Sequence, residues 1–269
     1  MSPQPTNAPS RRGLLARAAG AAALGTAALA APALLLAAPR RARGAPVAVD
    51  VELVLAVDVS RSVDAEEMEA QMRGYADAFR SPDLARGIER GAVGSVAVCL
   101  FTWSDSTLQE DLVPWTRIAS AEDAAAFARA VDAAPRRTWL YTSVSGAMDH
   151  AGRLLARSPY EGTRRVVDIS GDGVNNSGRP VAEARAALLE AGVVVNGLPV
   201  VDRAPLPGAG LARPLDEYYG DEVIGGPGAF LVVAEGFEAF GGAVRRKIVR
   251  EIAAAPPPGP VVERVAAVA

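Results

Sequence analysis

The chain of 269 residues holds one cysteine, one histidine and one lysine. Each scarcity removes a class of function. A lone cysteine, Cys99, cannot close an intrachain disulfide, so the fold must rest on its packed core. Cys99 sits inside Val96-Ala97-Val98-Cys99-Leu100-Phe101 and reads as a small buried hydrophobe. One histidine and one cysteine cannot furnish the usual ligands of a zinc site. The histidine, His150, is also the sole imidazole available to a Ser-His-Asp triad. It falls eight residues past Thr142 and off the apolar stripe of Val144, Met148, Ala151 and Leu155. That position reads as a solvated surface side chain rather than a base aimed at a substrate. No Gly-x-Ser-x-Gly elbow occurs. The lysine, Lys247, lies in the last predicted helix, so no Gly-Lys-Ser/Thr phosphate loop exists either.

Acidic residues are absent from residues 1–44, which carry six arginines. Arg11-Arg12 opens a polar stretch, an Ala/Leu/Gly run follows from Ala18 to Ala38, and Ala42-Arg43-Gly44 offers a small-residue exit. A charged start, an apolar middle and a small-residue end describe an export signal. The adjacent arginines resemble the twin-arginine class. The same apolar run is long enough to span a bilayer as an uncleaved anchor. Without this segment the chain carries 22 basic against 31 acidic residues, a net charge of −9. So acidic a domain is a poor partner for nucleic acid or an anionic membrane surface. After signal removal no membrane insertion is expected.

The remaining 225 or so residues suffice for one domain with a full core. Short apolar runs at Val51–Val57, Val96–Trp103, Thr107–Val113, Arg165–Ile169, Val193–Val201 and Ala229–Ala234 predict strands. Helical patterns at Ala65–Arg80, Ala121–Ala134, Ser143–Arg157, Val181–Ala191 and Phe237–Ala254 alternate with them. Alternation of this kind predicts an α/β fold of the Rossmann-like, doubly wound class, mostly parallel and helix-covered on both faces. Ser104-Asp105-Ser106 between two runs is hairpin spacing, so one edge strand is expected to be antiparallel. Asp202–Gly228 is rich in Pro and Gly, contains Tyr218-Tyr219, and reads as a long surface excursion. Pro256-Pro257-Pro258-Gly259-Pro260 ends the last helix, and residues 255–269 read as a flexible tail.

The chemistry gathers at loops that follow strands, where open parallel sheets bind ligands. Asp58-Val59-Ser60-Arg61-Ser62 ends the first strand with three alternating oxygen donors. Ser170-Gly171-Asp172-Gly173 follows a later strand, and Thr142 precedes a helix. Hard cations such as Mg²⁺ take such oxygen ligands. Each residue also has a plainer reading: Asp58 and Ser62 as helix caps, Thr142 as an N-cap, Asp172 as a turn residue. Asn175 and Asn176 are expected to shape the third loop.

Taken together, Asp-x-Ser-x-Ser, a Thr before a small-residue helix start (Thr142-Ser143-Val144-Ser145-Gly146) and a later Asp-Gly pair resemble the von Willebrand factor type A domain. The resemblance covers roughly residues 50–254 within a domain of 45–254. It includes Ile169-Ser170-Gly171-Asp172-Gly173 and Val223–Phe230, which are similar to an exported bacterial subgroup without assigned function. It implies a metal-ion-dependent adhesion site. Ser60, Ser62 and Thr142 would ligate through hydroxyls, and Asp58 and Asp172 mainly through water. The implied ion is Mg²⁺, or Mn²⁺ or Ca²⁺, and the implied partner is a protein offering Asp or Glu. The expected function is exported, periplasmic or extracellular protein binding without catalysis. The rival is a Mg²⁺-dependent, phosphatase-like hydrolase using the same strand-end carboxylates. Such enzymes want a second carboxylate where this chain has Ser60. A domain whose metal is purely structural is a third reading.

Overall fold

The first apolar run becomes strand β1, Val47–Asp58, buried from Val51 to Asp58. Its side chains alternate between two cores: Val51, Leu53, Leu55 and Val57 face one, Val54 and Ala56 the other. A strand whose apolar side chains point to both faces is one covered on both faces. The computed structural model describes residues 45–201, 213–253 and 261–267. The expected export signal, 202–212 of the excursion and the whole proline-rich stretch lie outside the described residues.

After β1 come α1 (Ala65–Phe79), α2 (Pro82–Glu89), β2 (Val96–Trp103), β3 (Gln109–Ile118), α3 (Ala121–Ala133) and α4 (Val144–Ala156). Then follow β4 (Tyr160–Gly171), α5 (Val181–Glu190), β5 (Val193–Val201), α6 (Leu215–Tyr218) and a π-helical turn, Tyr219–Val223. The chain continues through β6 (Phe230–Glu235), a 3₁₀ turn at Phe237–Ala239, α7 (Phe240–Ala253) and β7 (Val261–Ala266). The helix starts follow their local chemistry. Asp64 caps α1 in a reciprocal box with Glu67, and Ser120 and Ser143 cap α3 and α4. Gly192, at φ +72°, turns the chain out of α5. Among the described residues no helix is long and apolar enough to cross a membrane.

The sheet order is β3-β2-β1-β4-β5-β6-β7, parallel except at β2–β3. Helices α1, α3 and α7 pack on one face, α4 and α5 on the other. The expected doubly wound α/β class with one antiparallel edge is therefore the architecture. Strand order reverses about β1, which has β2 on one side and β4 on the other. The crevice beyond the carboxyl ends of β1 and β4 is thus the switch point where such sheets take ligands. Val57 pairs with Ser170, which sets Asp58 beside Gly171.

Four features differ from the sequence expectations. The edge strand runs to Ile118 rather than stopping at Val113, because Pro114 is tolerated where one side of a strand lacks a neighbour. Helix α2, with Ser81 as cap and Pro82 at its first turn, was hidden inside a polar stretch. Residues 261–266 are not a flexible tail: they pair in parallel with β6 as a second edge. Val265 buries itself there, while Glu263 meets Arg246 at 3.0 Å and Arg264 meets Asp216. The described part of the excursion is helical, with Tyr219 and Val223 fully buried in the α4–α5 core.

The chain's one lysine is also fully buried. Lys247 Nζ on α7 lies 2.6 Å from Glu251 Oε1 and 2.6 Å from Asp168 Oδ1 on β4. The contact with Asp168 is an ion pair without hydrogen-bond alignment, since both its oxygens lack a directed partner. Asn196 donates to the same Glu251 oxygen at 2.9 Å and accepts from Phe230 N at 3.0 Å. This polar group ties α7 to the centre of the sheet.

Candidate metal centre

Asp58 ends β1 with no exposed surface, and its Oδ1 accepts a 2.7 Å hydrogen bond from Ser60 N. That two-residue loop closure turns the chain so that Ser60 Oγ lies 3.1 Å from Ser62 Oγ. Ser62 Oγ then donates to Asp172 Oδ1 at 2.7 Å, across 110 residues of sequence. The first and third loops therefore meet through these side chains. Asp64, not Asp58 or Ser62, is the helix cap, so those two oxygens remain for other work.

The second loop is held from behind. Trp139 N donates to Val59 O at 3.0 Å, and Trp139 packs on the Val59, Val63 and Met68 cluster. Ser143, rather than Thr142, caps α4, accepting from Gly146 N at 3.1 Å. Thr142 is buried, and its backbone is clamped on both sides by Asn176. Thr142 N donates to Asn176 Oδ1 at 2.9 Å, and Asn176 N donates to Thr142 O at 2.8 Å. Asn175 Oδ1 accepts from Ser145 N at 3.0 Å. The two asparagines thus join the third loop to the start of α4. Gly173 lies against Thr142: a Cβ there would begin 3.4 Å from Thr142 Oγ1, ordinary contact distance.

All five residues singled out in the sequence converge on one crevice at the switch point. Burial grades outward, from Asp58 and Ser60 on the floor to an exposed Ser62 at the lip. Burial raises the Asp58 carboxyl well above its ordinary range, and repulsion from Asp172 adds to it. Burial likewise raises Asp172, with the Ser62 hydrogen bond opposing. Two carboxylates that each resist ionising beside the other are a place where a cation is favoured. Asp58 Oδ2 is buried with no hydrogen-bond partner among the described residues. Such an acceptor wants a donor or a cation. The donor set, two carboxylates and three hydroxyls, fits a hard divalent ion. Among the described residues no cluster of three or more His, Cys, Asp or Glu exists, so any such site must recruit hydroxyls.

His150 is not the solvated side chain that its place off the apolar stripe suggested. Its side chain is 17% exposed, its ring lies 4.6 Å from that of Phe101, and Nε2 is 2.6 Å from Asp111 Oδ1. The antiparallel strand β3 brings Asp111 over α4, which helical periodicity alone does not reveal. It sits about two turns down α4 from the crevice. Cys99 is buried and free, as its apolar context predicts.

Sequence reasoning missed the tyrosine pair of the excursion. Tyr218 Oη accepts from Asn175 N at 3.2 Å, and Tyr219 stands below the crevice with its ring fully buried. Two adjacent aromatics in a chain with few of them were the available signal.

The family described as a protein of unknown function (DUF1194) matches residues 48–256. A comparison with curated proteins found no match. Among solved structures, the chain is similar to proximal thread matrix protein 1 from the mussel byssus with a zinc-occupied MIDAS motif. That match has 17% identity and TM-score 0.51, over 77% of this chain and 46% of that one. It is similar to a von Willebrand factor type A protein from Catenulispora acidiphila at 13% identity and TM-score 0.52, covering 76% and 43%. It is also similar to the pilus adhesin SpaC from Lactobacillus rhamnosus GG at 14% identity and TM-score 0.53, covering 76% and 31%. The chain spans less than half the length of each of these structures. The shared element is the fold, that of von Willebrand factor type A domains.

Proposed function

The chain belongs to the DUF1194 family, and from that premise we propose that it is an exported, divalent-metal-dependent protein-binding module. Asp58, Ser60, Ser62, Thr142 and Asp172 would hold Mg²⁺, or Mn²⁺ or Ca²⁺. The observation that carries the reading is the unpartnered, buried Asp58 Oδ2 beside a continuous chain of hydroxyls ending on Asp172. The zinc-occupied motif of a protein with the same fold supports it.

Bound there, the ion supplies a positive centre for an anionic oxygen. Neutral hydroxyls leave its charge largely uncompensated, and the exposed lip at Ser62 leaves one side open. The chain's own residues set what can approach. Arg61 projects from the same loop and has no ion-pair partner among the described residues. Leu140 and Tyr141, 66% and 54% exposed, stand directly before buried Thr142. Trp139 and Thr142 anchor this loop on either side, which leaves the two apolar side chains at its tip. A cationic and apolar rim on an otherwise acidic domain suits a partner whose Asp or Glu is flanked by an apolar residue. Binding is favoured over hydrolysis, because His150 is occupied by Asp111 and the second-carboxylate position is Ser60.

Leu140→Ser with Tyr141→Ser is expected to weaken capture of the partner by about tenfold or more. Metal affinity should stay unchanged. Retention of envelope proteins on the immobilised protein, in Mg²⁺ and then in EDTA, is the assay. Retention that survives EDTA would contradict the proposed function.

A further inference from the structure

The Tyr219 hydroxyl is a donor buried without a hydrogen-bond partner among the described residues. So is its potential acceptor, Asp58 Oδ2. Both lie on the α4–α5 face of the sheet and look toward the bare Cα of Gly171. A Cβ built on Gly171 would begin 2.7 Å from Asp58 Oδ2 and 2.8 Å from Tyr219 Oη. The two oxygens are therefore separated by no more than a single water can bridge. Buried polar groups are seldom left unpaired, and here a phenol donor faces a carboxylate acceptor. The neighbouring Tyr218 already serves the site by accepting from Asn175 N, and Asn175 in turn orients Ser145 at the start of α4. Both tyrosines adjoin or begin the one π-helical turn of the described chain, a local departure that sets consecutive side chains toward the crevice.

We propose that Tyr219 is a positioning residue of the metal centre, its hydroxyl donating to Asp58 Oδ2 directly or across one water. This inference rests on the metal reading above. With Oδ1 held by Ser60 N and Oδ2 by Tyr219, the Asp58 carboxylate cannot rotate, and its remaining lone pairs are presented to the crevice. Gly171 is required because any side chain there would enter the space between the two oxygens. The segment around Tyr218-Tyr219 thereby becomes part of the metal centre's support rather than a separate excursion.

The test is Mn²⁺ titration of the full chain, read by the electron paramagnetic resonance of free Mn²⁺. Wild type, Tyr219→Phe and Gly171→Ala are compared, with metal-free melting temperatures measured in parallel. Loss of an outer-shell partner typically weakens metal binding by about 10–100-fold. Tyr219→Phe is expected to weaken Mn²⁺ by about tenfold or more, with its metal-free melting temperature lowered by no more than the loss of one buried hydrogen bond, because the ring still fills the core. Gly171→Ala should weaken Mn²⁺ comparably. In wild type, Mn²⁺ should perturb the ultraviolet absorbance of a buried tyrosine, and Tyr219→Phe should abolish that signal. Equal Mn²⁺ affinity in wild type and Tyr219→Phe overturns the inference while leaving the metal site standing. A loss of affinity that only tracks a lower metal-free melting temperature also overturns it. No Mn²⁺ binding by wild type removes the metal reading itself, and this inference with it.

Discussion

Asp58→Ala is expected to lower divalent-cation affinity by at least about 100-fold and to abolish metal-dependent partner capture. The metal-free protein should keep its fold. Asp58 has no exposed surface, and one of its carboxylate oxygens is unpartnered. Without a cation that carboxyl is a liability, as its raised pKa states: burial first, then Asp172, disfavour the charged form. The alanine variant loses the hydrogen bond from Ser60 N and the proposed one from Tyr219 but sheds that desolvation cost, so its metal-free melting temperature should change little. Wild type should also lose metal as the pH falls through the raised Asp58 value, because protons and metal compete for the same oxygens. Calorimetric titration with Mg²⁺ across pH measures both effects. Full affinity in Asp58→Ala would assign the cation to other residues.

The second large effect concerns stability rather than binding. Lys247→Met should destabilise the protein by about 3–5 kcal/mol, because two buried carboxylates lose the cation paired with both. That corresponds to a fall in melting temperature of roughly 10 °C. Lys247, Asp168 and Glu251 are all essentially without exposed surface, so solvent cannot compensate. The trio carries one negative charge too many. Burial, then repulsion from Glu251, pushes Asp168 up to about 7 against the pull of Lys247. A raised folded-state value means that the folded protein holds a proton the unfolded chain has released. The stability linked to Asp168 is therefore full below its ordinary value of 3.8 and is lost as pH rises toward about 7. Asp168→Asn should flatten that part of the profile, measured by urea unfolding across the window. A variant as pH-dependent as wild type would place the proton elsewhere.

The sheet was legible because its strands are continuous apolar runs and its helices begin with recognisable caps. Asp58-Val59-Ser60-Arg61-Ser62 announced the first loop, and the order of Thr142 and Asp172 placed the other two. What stayed hidden depends on contacts between distant segments. Lys247 looked like an ordinary helical charge, because nothing local reveals that Asp168, 79 residues earlier, lies 2.6 Å away. The last strand was obscured by the prolines before it and by the charged pair Glu263-Arg264 at its centre, which suits an edge as well as a tail. His150 depended on an antiparallel neighbour bringing Asp111 across. Tyr219 depended on a π turn, which no periodicity predicts.

In the reading proposed above, the three loops hold one divalent cation through Ser60, Ser62, Thr142, Asp58 and Asp172. Anomalous diffraction from a crystal soaked in saturating Mn²⁺ tests it most directly. A single strong peak is expected in the crevice beyond β1 and β4, in contact with the hydroxyls of Ser60 and Ser62. A crystal with Mn²⁺ bound elsewhere on the protein, or with no peak between these loops, would contradict it.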